Sequence, residues 1–228
     1  MYPDFIEKYN AVRDEAKIIA GHPVKVIAVT KNFPLQLMED CLHHGIYSIG
    51  ENKIQEAKDK FEKLDVVLRG KLEFHFIGAL QSNKARFVPG VFQYVHGIGT
   101  GSALLKLEEA CKALPEKLKI LLQFNISREK SKSGFSPDDT GVIADILSGC
   151  ENVEPCGLMT IGPLEGSQDD TRAVFRDLRK IRDDMNKKYG LSLTELSMGM
   201  SDDYRVACEE GATMIRLGSI LFGARPGK

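Results

Sequence analysis

The sequence predicts an α/β protein that folds as one closed (β/α)8, or TIM, barrel over residues 1–228. Strand-like apolar segments alternate with helical segments, giving about one βα unit per 28 residues. Uninterrupted apolar runs such as 26–29 are typical of parallel strands that are buried on both faces. Polar residues or glycines follow most strands, where a barrel keeps its site. A doubly wound open sheet remains the alternative, because it shows the same alternation.

The first half of the chain supplies four predicted strands. Apolar residues at three- and four-residue steps indicate a leading helix over 1–20. A strand over 25–30 follows, and a helix over 35–44 ends at Gly45, which suits a C-cap. The other strands of this half are predicted at 46–49, 73–77 and 92–95, with a long polar helix from after Asn52 through Leu68 and a short helix before Pro89.

The second half repeats the pattern. His96 leads from the fourth strand into a glycine-rich turn over 97–101. The remaining strands are predicted at 118–124, 155–159, 195–197 and 213–217. Helices are predicted at 103–113, 137–147, 169–188 and 204–210, with a final apolar turn at 220–222.

Composition excludes several classes of protein. Lys and Arg total 31 against 32 Asp and Glu, and no basic stripe indicates nucleic-acid binding. No apolar run approaches the ~20 residues of a membrane span. The five cysteines are scattered, without a CxxC pair, which predicts reduced thiols and no zinc site. We expect a cytoplasmic protein and, from a single domain, a monomer.

Lys31 is the first candidate functional residue. It follows the apolar run 26–29 and precedes Asn32 and Pro34, which end the extended segment. A lysine at the end of a buried strand brings its amine to the carboxyl edge of the sheet, where α/β folds place their chemistry. An isolated lysine at a strand end can also simply reach solvent.

Two turns near the C-terminus are candidates for holding a phosphate. The first, 197–201, contains Gly199 and Ser201, and the second places Gly218 and Ser219 after Arg216. In barrels the turns after the seventh and eighth strands commonly bind phosphate through backbone N–H groups. A phosphate site beside a strand-end lysine suggests an aldehyde cofactor held as a Schiff base, with Arg216 as a cation that favours the neutral amine.

Segments along nearly the whole chain carry a resemblance to a known family. These are AVTKNFP (28–34), IGENKIQEAKDK (49–60), FHFIGALQSNK (74–84), QFNISREKSKSGF (123–135), GLMTIGP (157–163), LSMGMSDDYRVACEEGAT (196–213) and IRLGSILFGAR (215–225). With them, the chain resembles the pyridoxal phosphate homeostasis proteins, relatives of the N-terminal barrel of alanine racemase.

The resemblance implies a cofactor and a set of residues that bind it. Lys31 would form the internal aldimine with pyridoxal 5′-phosphate, and Arg216 would face the pyridine nitrogen. Ser201, Gly218 and Ser219 would hold the phosphate, and Asn52 and His75 would line the pocket. From the residues alone, His75 is equally typical of a histidine packed within its strand. Apo forms of pyridoxal phosphate enzymes are candidate partners. The loop over 97–101 departs from the family, which often has Val-Asp after the histidine, whereas this chain has Gly97 and Ile98 there.

Three functions are open at this point. Arg216 keeps its proton and cannot protonate the pyridine nitrogen, which weakens the ring as an electron sink and disfavours a transaminase or decarboxylase. Racemisation in the related enzyme needs a second base from another domain, and this chain ends just after the barrel. A non-catalytic carrier or buffer of pyridoxal phosphate is therefore expected first, a weak racemase or lyase second, and a cofactor-free phosphosugar isomerase or aldolase third.

Overall fold

Eight parallel strands close into a barrel in the order β1 to β8 in the computed structural model, which describes residues 4–129 and 132–223. Closure is made by β1 and β8, whose register pairs Lys25 with Met214 and Ala28 with Leu217. The strands are β1 Lys25–Val29, β2 Ser48–Glu51, β3 Glu73–Ala79, β4 Tyr94–Ile98, β5 Leu118–Gln123, β6 Val153–Met159, β7 Glu195–Ser197 and β8 Met214–Leu217. The closed barrel is confirmed, and the open sheet is excluded.

Helices surround the barrel between successive strands. They are α1 Phe5–Ala20, α2 Leu35–His43, α3 Ile54–Lys63, α4 Val66–Arg69, α5 Gly101–Ala110, α6 Thr140–Ser148, α7 Gln168–Tyr189, α8 Tyr204–Glu209 and α9 Ser219–Phe222, with 3-10 turns at Ser82–Phe87 and Pro137–Asp139. None of the helices in the described part of the chain is long and apolar enough to cross a membrane.

The core has two layers of different character. The larger one fills the space between the strands and the helices with aliphatic and aromatic side chains such as Leu37, Phe74 and Phe175. The smaller one lies inside the barrel and contains Ile27 and Leu121. Side chains of a strand alternate between these two layers. The inward positions are therefore the ones that can meet across the barrel.

Two predicted boundaries were wrong for identifiable reasons. The strand β4 continues through Gly97 to Ile98, whereas the glycine predicted a turn. A Cβ at Gly97 would lie 1.9 Å from the backbone oxygen of Gly78, so the glycine serves close packing of two strands. The long polar helix is interrupted after Lys63, because Asp65 caps α4 by accepting the N–H of Val67.

Candidate functional site

A pocket of about 460 Å³ opens at the carboxyl end of the barrel. Its floor and walls come from residues at or just after the ends of β1, β3, β6 and β8 and from the turn after β7. The lining residues are Val29, Lys31, Phe33, Ile77, Met159, Ile161, Met200, Ser201, Asp202, Arg216, Gly218, Ser219 and Gly223. The pocket thus combines apolar walls with a small number of charged and hydroxyl groups.

Lys31 lies two residues beyond the end of β1, in a turn rather than at the last strand position. The turn is sharp, because Asn32 adopts a left-handed conformation with φ 62°. Side chains of α3 hold the turn on both sides of the lysine. Lys60 Nζ donates to the backbone oxygen of Thr30 at 2.9 Å, and Glu56 Oε1 accepts the N–H of Asn32 at 2.7 Å.

A buried ion pair supports this turn from below. Lys60 Nζ lies 2.8 Å from Glu51 Oε1 and 2.9 Å from Glu56 Oε1. The side chain of Glu51 is fully buried and also accepts the hydroxyl of Thr30 at 2.7 Å. Burial raises the pKa of Glu51, and Lys60 opposes this effect. The lysine amine of α3 therefore fixes the backbone that carries Lys31.

Arg216 is a firmly held cation of the pocket. Its Nη1 donates to Ser197 Oγ at 2.7 Å and its Nη2 donates to the backbone oxygen of Thr160 at 3.0 Å. Only 4% of the residue is exposed, and burial lowers its pKa to about 10. The guanidinium remains protonated at neutral pH, and its other N–H groups are available to the pocket that it lines.

The two candidate phosphate turns meet at one edge of the pocket. Ser201 Oγ accepts the N–H of Ile220 at 3.2 Å, which joins the turn after β7 to α9. Gly199 has φ +93°, and a Cβ there would lie 2.6 Å from Ala207 Cβ. The backbone oxygen of Gly199 accepts the N–H of Arg216 at 3.0 Å. These contacts bring Ser201, Gly218 and Ser219 to the same wall.

Five of the seven predicted site residues therefore line one pocket: Lys31, Ser201, Arg216, Gly218 and Ser219. Asn52 and His75 are not among the residues that line this pocket, and their contact with a bound cofactor stays a prediction. Asn52 borders a separate cavity of about 270 Å³ together with Lys53 and Lys84. His75 is fully buried inside the barrel, two positions before Ile77 of the pocket wall on the same strand.

Several residues of this region were not predicted. Lys60 sits at an ordinary i, i+4 spacing from Glu56, which also occurs on exposed helices. His96 Nδ1 lies 2.8 Å from Ser197 Oγ across the barrel, a contact between residues 101 positions apart. Inward positions on strands that face each other across the barrel were the available signal for this contact, but the predicted strand ended at Val95 and left His96 outside it.

Comparison with known proteins first defines the class. The family model of the alanine racemase N-terminal domain matches residues 8–226. Alanine racemase from Corynebacterium glutamicum superposes with a TM-score of 0.71 at 17% identity, covering 98% of this chain and 62% of that one. At this identity the similarity shows a shared fold.

Full-length relatives then define the family. The pyridoxal phosphate homeostasis protein of Synechocystis is 41% identical over 212 residues, which are 92% of this chain and 96% of that protein. The human protein of the same name is 34% identical over 215 residues, covering 88% of this chain and 76% of its own length. The chain belongs to the pyridoxal phosphate homeostasis protein family, as its motifs predicted. PipY of Synechococcus elongatus, solved with pyridoxal phosphate bound, superposes with a TM-score of 0.86 at 33% identity, covering 96% of this chain and all of that one.

Proposed function

We propose that this protein binds pyridoxal 5′-phosphate as a Schiff base on Lys31 and carries or buffers the cofactor within the cell, without a robust catalytic cycle of its own. The observation that carries the proposal is the single pocket in which Lys31, Arg216 and the Ser201 and Ser219 turns meet. The family relationship and the structure of PipY with pyridoxal phosphate bound support it.

The pocket fits such a ligand in size and chemistry. Its volume of about 460 Å³ lies within the range of ~300–1,000 Å³ that is usual for small-molecule sites. The Lys31 amine can attack an aldehyde carbon, so that a C=N bond forms and the carbonyl oxygen leaves as water. Ser201 Oγ already accepts a backbone N–H, which leaves its own O–H to donate to a phosphate oxygen.

Arg216 argues for storage rather than turnover. Bound pyridoxal phosphate supplies an aldehyde and a ring that withdraws electrons best when its nitrogen is protonated. A guanidinium with a pKa of about 10 donates a hydrogen bond to that nitrogen at neutral pH and retains its own proton. The ring stays neutral, which raises the barrier to carbanion chemistry. A weak racemase activity is the alternative, and the shared fold with alanine racemase favours it over other reactions.

The finer parts of the proposal concern the cellular location, the oligomeric state and the partners of the protein. Cys41, Cys111, Cys150, Cys156 and Cys208 are all free thiols, which suits a reducing cytoplasm. We infer that the chain acts as a single cofactor-binding domain and as a monomer, with apo forms of pyridoxal phosphate enzymes as the recipients.

Reductive trapping tests the attachment. Borohydride treatment of the protein with pyridoxal phosphate, followed by peptide mass mapping, should place the reduced adduct on Lys31. Lys31→Ala should abolish this adduct, whereas Lys53→Ala, which changes a lysine of the neighbouring cavity, should preserve it. Trapping on another lysine in the wild-type protein contradicts the proposal.

A chirality assay separates the carrier from the racemase. The loaded protein is incubated with single enantiomers of amino acids, and their enantiomeric purity is followed with time. Retained purity at stoichiometric protein supports a carrier. Rapid loss of purity that depends on Lys31 establishes an enzyme and rejects the non-catalytic part of the proposal.

A further inference from the structure

A chain of buried hydrogen bonds crosses the barrel from its amino end to Arg216. Glu73 Oε1 lies 2.9 Å from His75 Nε2, and His75 Nδ1 lies 2.9 Å from His96 Nε2. His96 Nδ1 lies 2.8 Å from Ser197 Oγ, which accepts from Arg216 Nη1 at 2.7 Å. Both imidazoles and the serine are 0% exposed. Four strands thus contribute inward side chains to one continuous path.

Glu73 sets the direction of this chain. It also accepts hydrogen bonds from Lys25 Nζ at 2.7 Å and from Ser48 Oγ at 2.8 Å. Although partial burial raises the pKa of Glu73, the hydrogen bonds from His75, Lys25 and Ser48 hold it far below its usual value. The carboxylate is therefore ionised and can only accept, so His75 carries its proton on Nε2.

The remaining tautomers follow from that one. Burial lowers the pKa of both histidines, so each ring is neutral and has one donor and one acceptor nitrogen. His75 Nδ1 must accept, so His96 donates from Nε2 and accepts at Nδ1. Ser197 then turns its hydroxyl hydrogen toward His96 and presents its lone pairs to Arg216. Every bond in the chain runs from the guanidinium toward the carboxylate.

We propose that His75, His96 and Ser197 are positioning residues that couple the Glu73 carboxylate to Arg216 and so orient the guanidinium toward the ring nitrogen of the bound cofactor. Aligned hydrogen bonds polarise one another, and a low-dielectric interior strengthens the effect. The hydrogen-bond chain also connects the buried cation of Arg216, through neutral side chains, to the anionic carboxylate of Glu73. This inference rests on the proposed function, because it specifies how the same pocket recognises a pyridine.

A comparison of two ligands isolates this coupling. Pyridoxal 5′-phosphate and its deaza analogue, which has carbon in place of the ring nitrogen, are titrated into each protein by absorbance. The wild-type protein should prefer the nitrogen-containing ligand by on the order of tenfold, as expected for a hydrogen bond from a charged donor. The ratio of the two dissociation constants measures the contact with the ring nitrogen and removes effects common to both ligands.

Two variants, one near each end of the hydrogen-bond chain, test whether this chain orients Arg216. Ser197→Ala breaks the contact to Arg216, and Glu73→Gln removes the charge at the far end of the barrel, where the side chain is partly exposed. Each should reduce the preference several-fold. Glu154→Gln makes the same charge change at the exposed start of β6. This residue is not part of the hydrogen-bond chain, so the variant should retain the wild-type preference.

The outcomes separate this inference from the proposed function. If the wild-type protein binds both ligands equally, or if Ser197→Ala and Glu73→Gln keep the full preference while the adduct still forms on Lys31, the coupling is refuted and the proposed function stands. If the wild-type protein forms no adduct with either ligand, the proposed function itself fails.

Discussion

Replacing Lys60 with methionine should destabilise the protein and loosen the turn that carries Lys31. The Lys60 amine makes three contacts, with Glu51 Oε1 at 2.8 Å, Glu56 Oε1 at 2.9 Å and the backbone oxygen of Thr30 at 2.9 Å. Its side chain is 9% exposed and that of Glu51 is fully buried. Methionine has similar length but donates no hydrogen bond, so Glu51 loses its positive partner.

The magnitude follows from the burial of this pair. Removing one partner of a buried ion pair costs about 3–5 kcal/mol, because the other charge is left uncompensated. Glu51 retains the hydroxyl of Thr30 and can take up a proton, since burial already raises its pKa. We therefore expect a loss near the lower end, about 3 kcal/mol in the free energy of unfolding.

Urea unfolding followed by circular dichroism measures this loss, and two further variants show whether it comes from the unpaired charge. Lys58→Met changes a partly exposed lysine of the same helix and should alter the free energy of unfolding by less than about 0.5 kcal/mol. The double variant Glu51→Gln with Lys60→Met should recover part of the loss, because no unpaired charge remains. Adduct formation on Lys31 should be slower in Lys60→Met than in Lys58→Met. Equal stabilities of the two single variants would refute the role assigned to the buried pair.

Two further predictions concern packing and pH. Gly97→Ala should lower the free energy of unfolding by about 2 kcal/mol or more, because the added Cβ overlaps a backbone oxygen, whereas Gly70→Ala meets only ordinary contacts and should be nearly neutral in the same urea assay. The lowered pKa values of His75 and His96 mean that the unfolded chain binds protons below pH ~6.5 that the folded protein does not, so stability should fall as pH drops from 7 toward 5. Urea unfolding at several pH values measures this fall in the free energy of unfolding. The control variant His43→Gln, which removes an exposed histidine, should show the same fall. A free energy of unfolding that does not change with pH in the wild-type protein would contradict neutral buried histidines.

The location of the site was predictable from local sequence because barrel chemistry follows strand ends. Lys31 after β1 and the turns containing Ser201 and Gly218 could be placed at one edge of the sheet from alternation alone. Their side chains reach the same pocket because closure of β1 on β8 brings the first and last strands together. Predicting where such residues lie requires only the order of the strands and no knowledge of side-chain packing.

The hydrogen-bond chain from Glu73 to Arg216 could not be predicted in this way. Contacts such as His96 with Ser197 depend on the registers of β4 and β7 across the barrel, which strand order does not give. The glycine at 97 was interpreted as a turn residue, although it serves close strand packing. The resemblance implied that His75 lines the pocket, and a strand histidine by itself carries no sign of its depth. Only the alternation of inward positions together with the closed register reveals that it lies below the pocket.

A crystal structure of the protein with pyridoxal 5′-phosphate tests the central claim most directly. Continuous density should join the Lys31 amine to the cofactor, with the phosphate beside Ser201 and Ser219 and the ring nitrogen within hydrogen-bonding distance of Arg216. Density for the cofactor on a different lysine, or a barrel mouth that stays empty at saturating ligand, would contradict it.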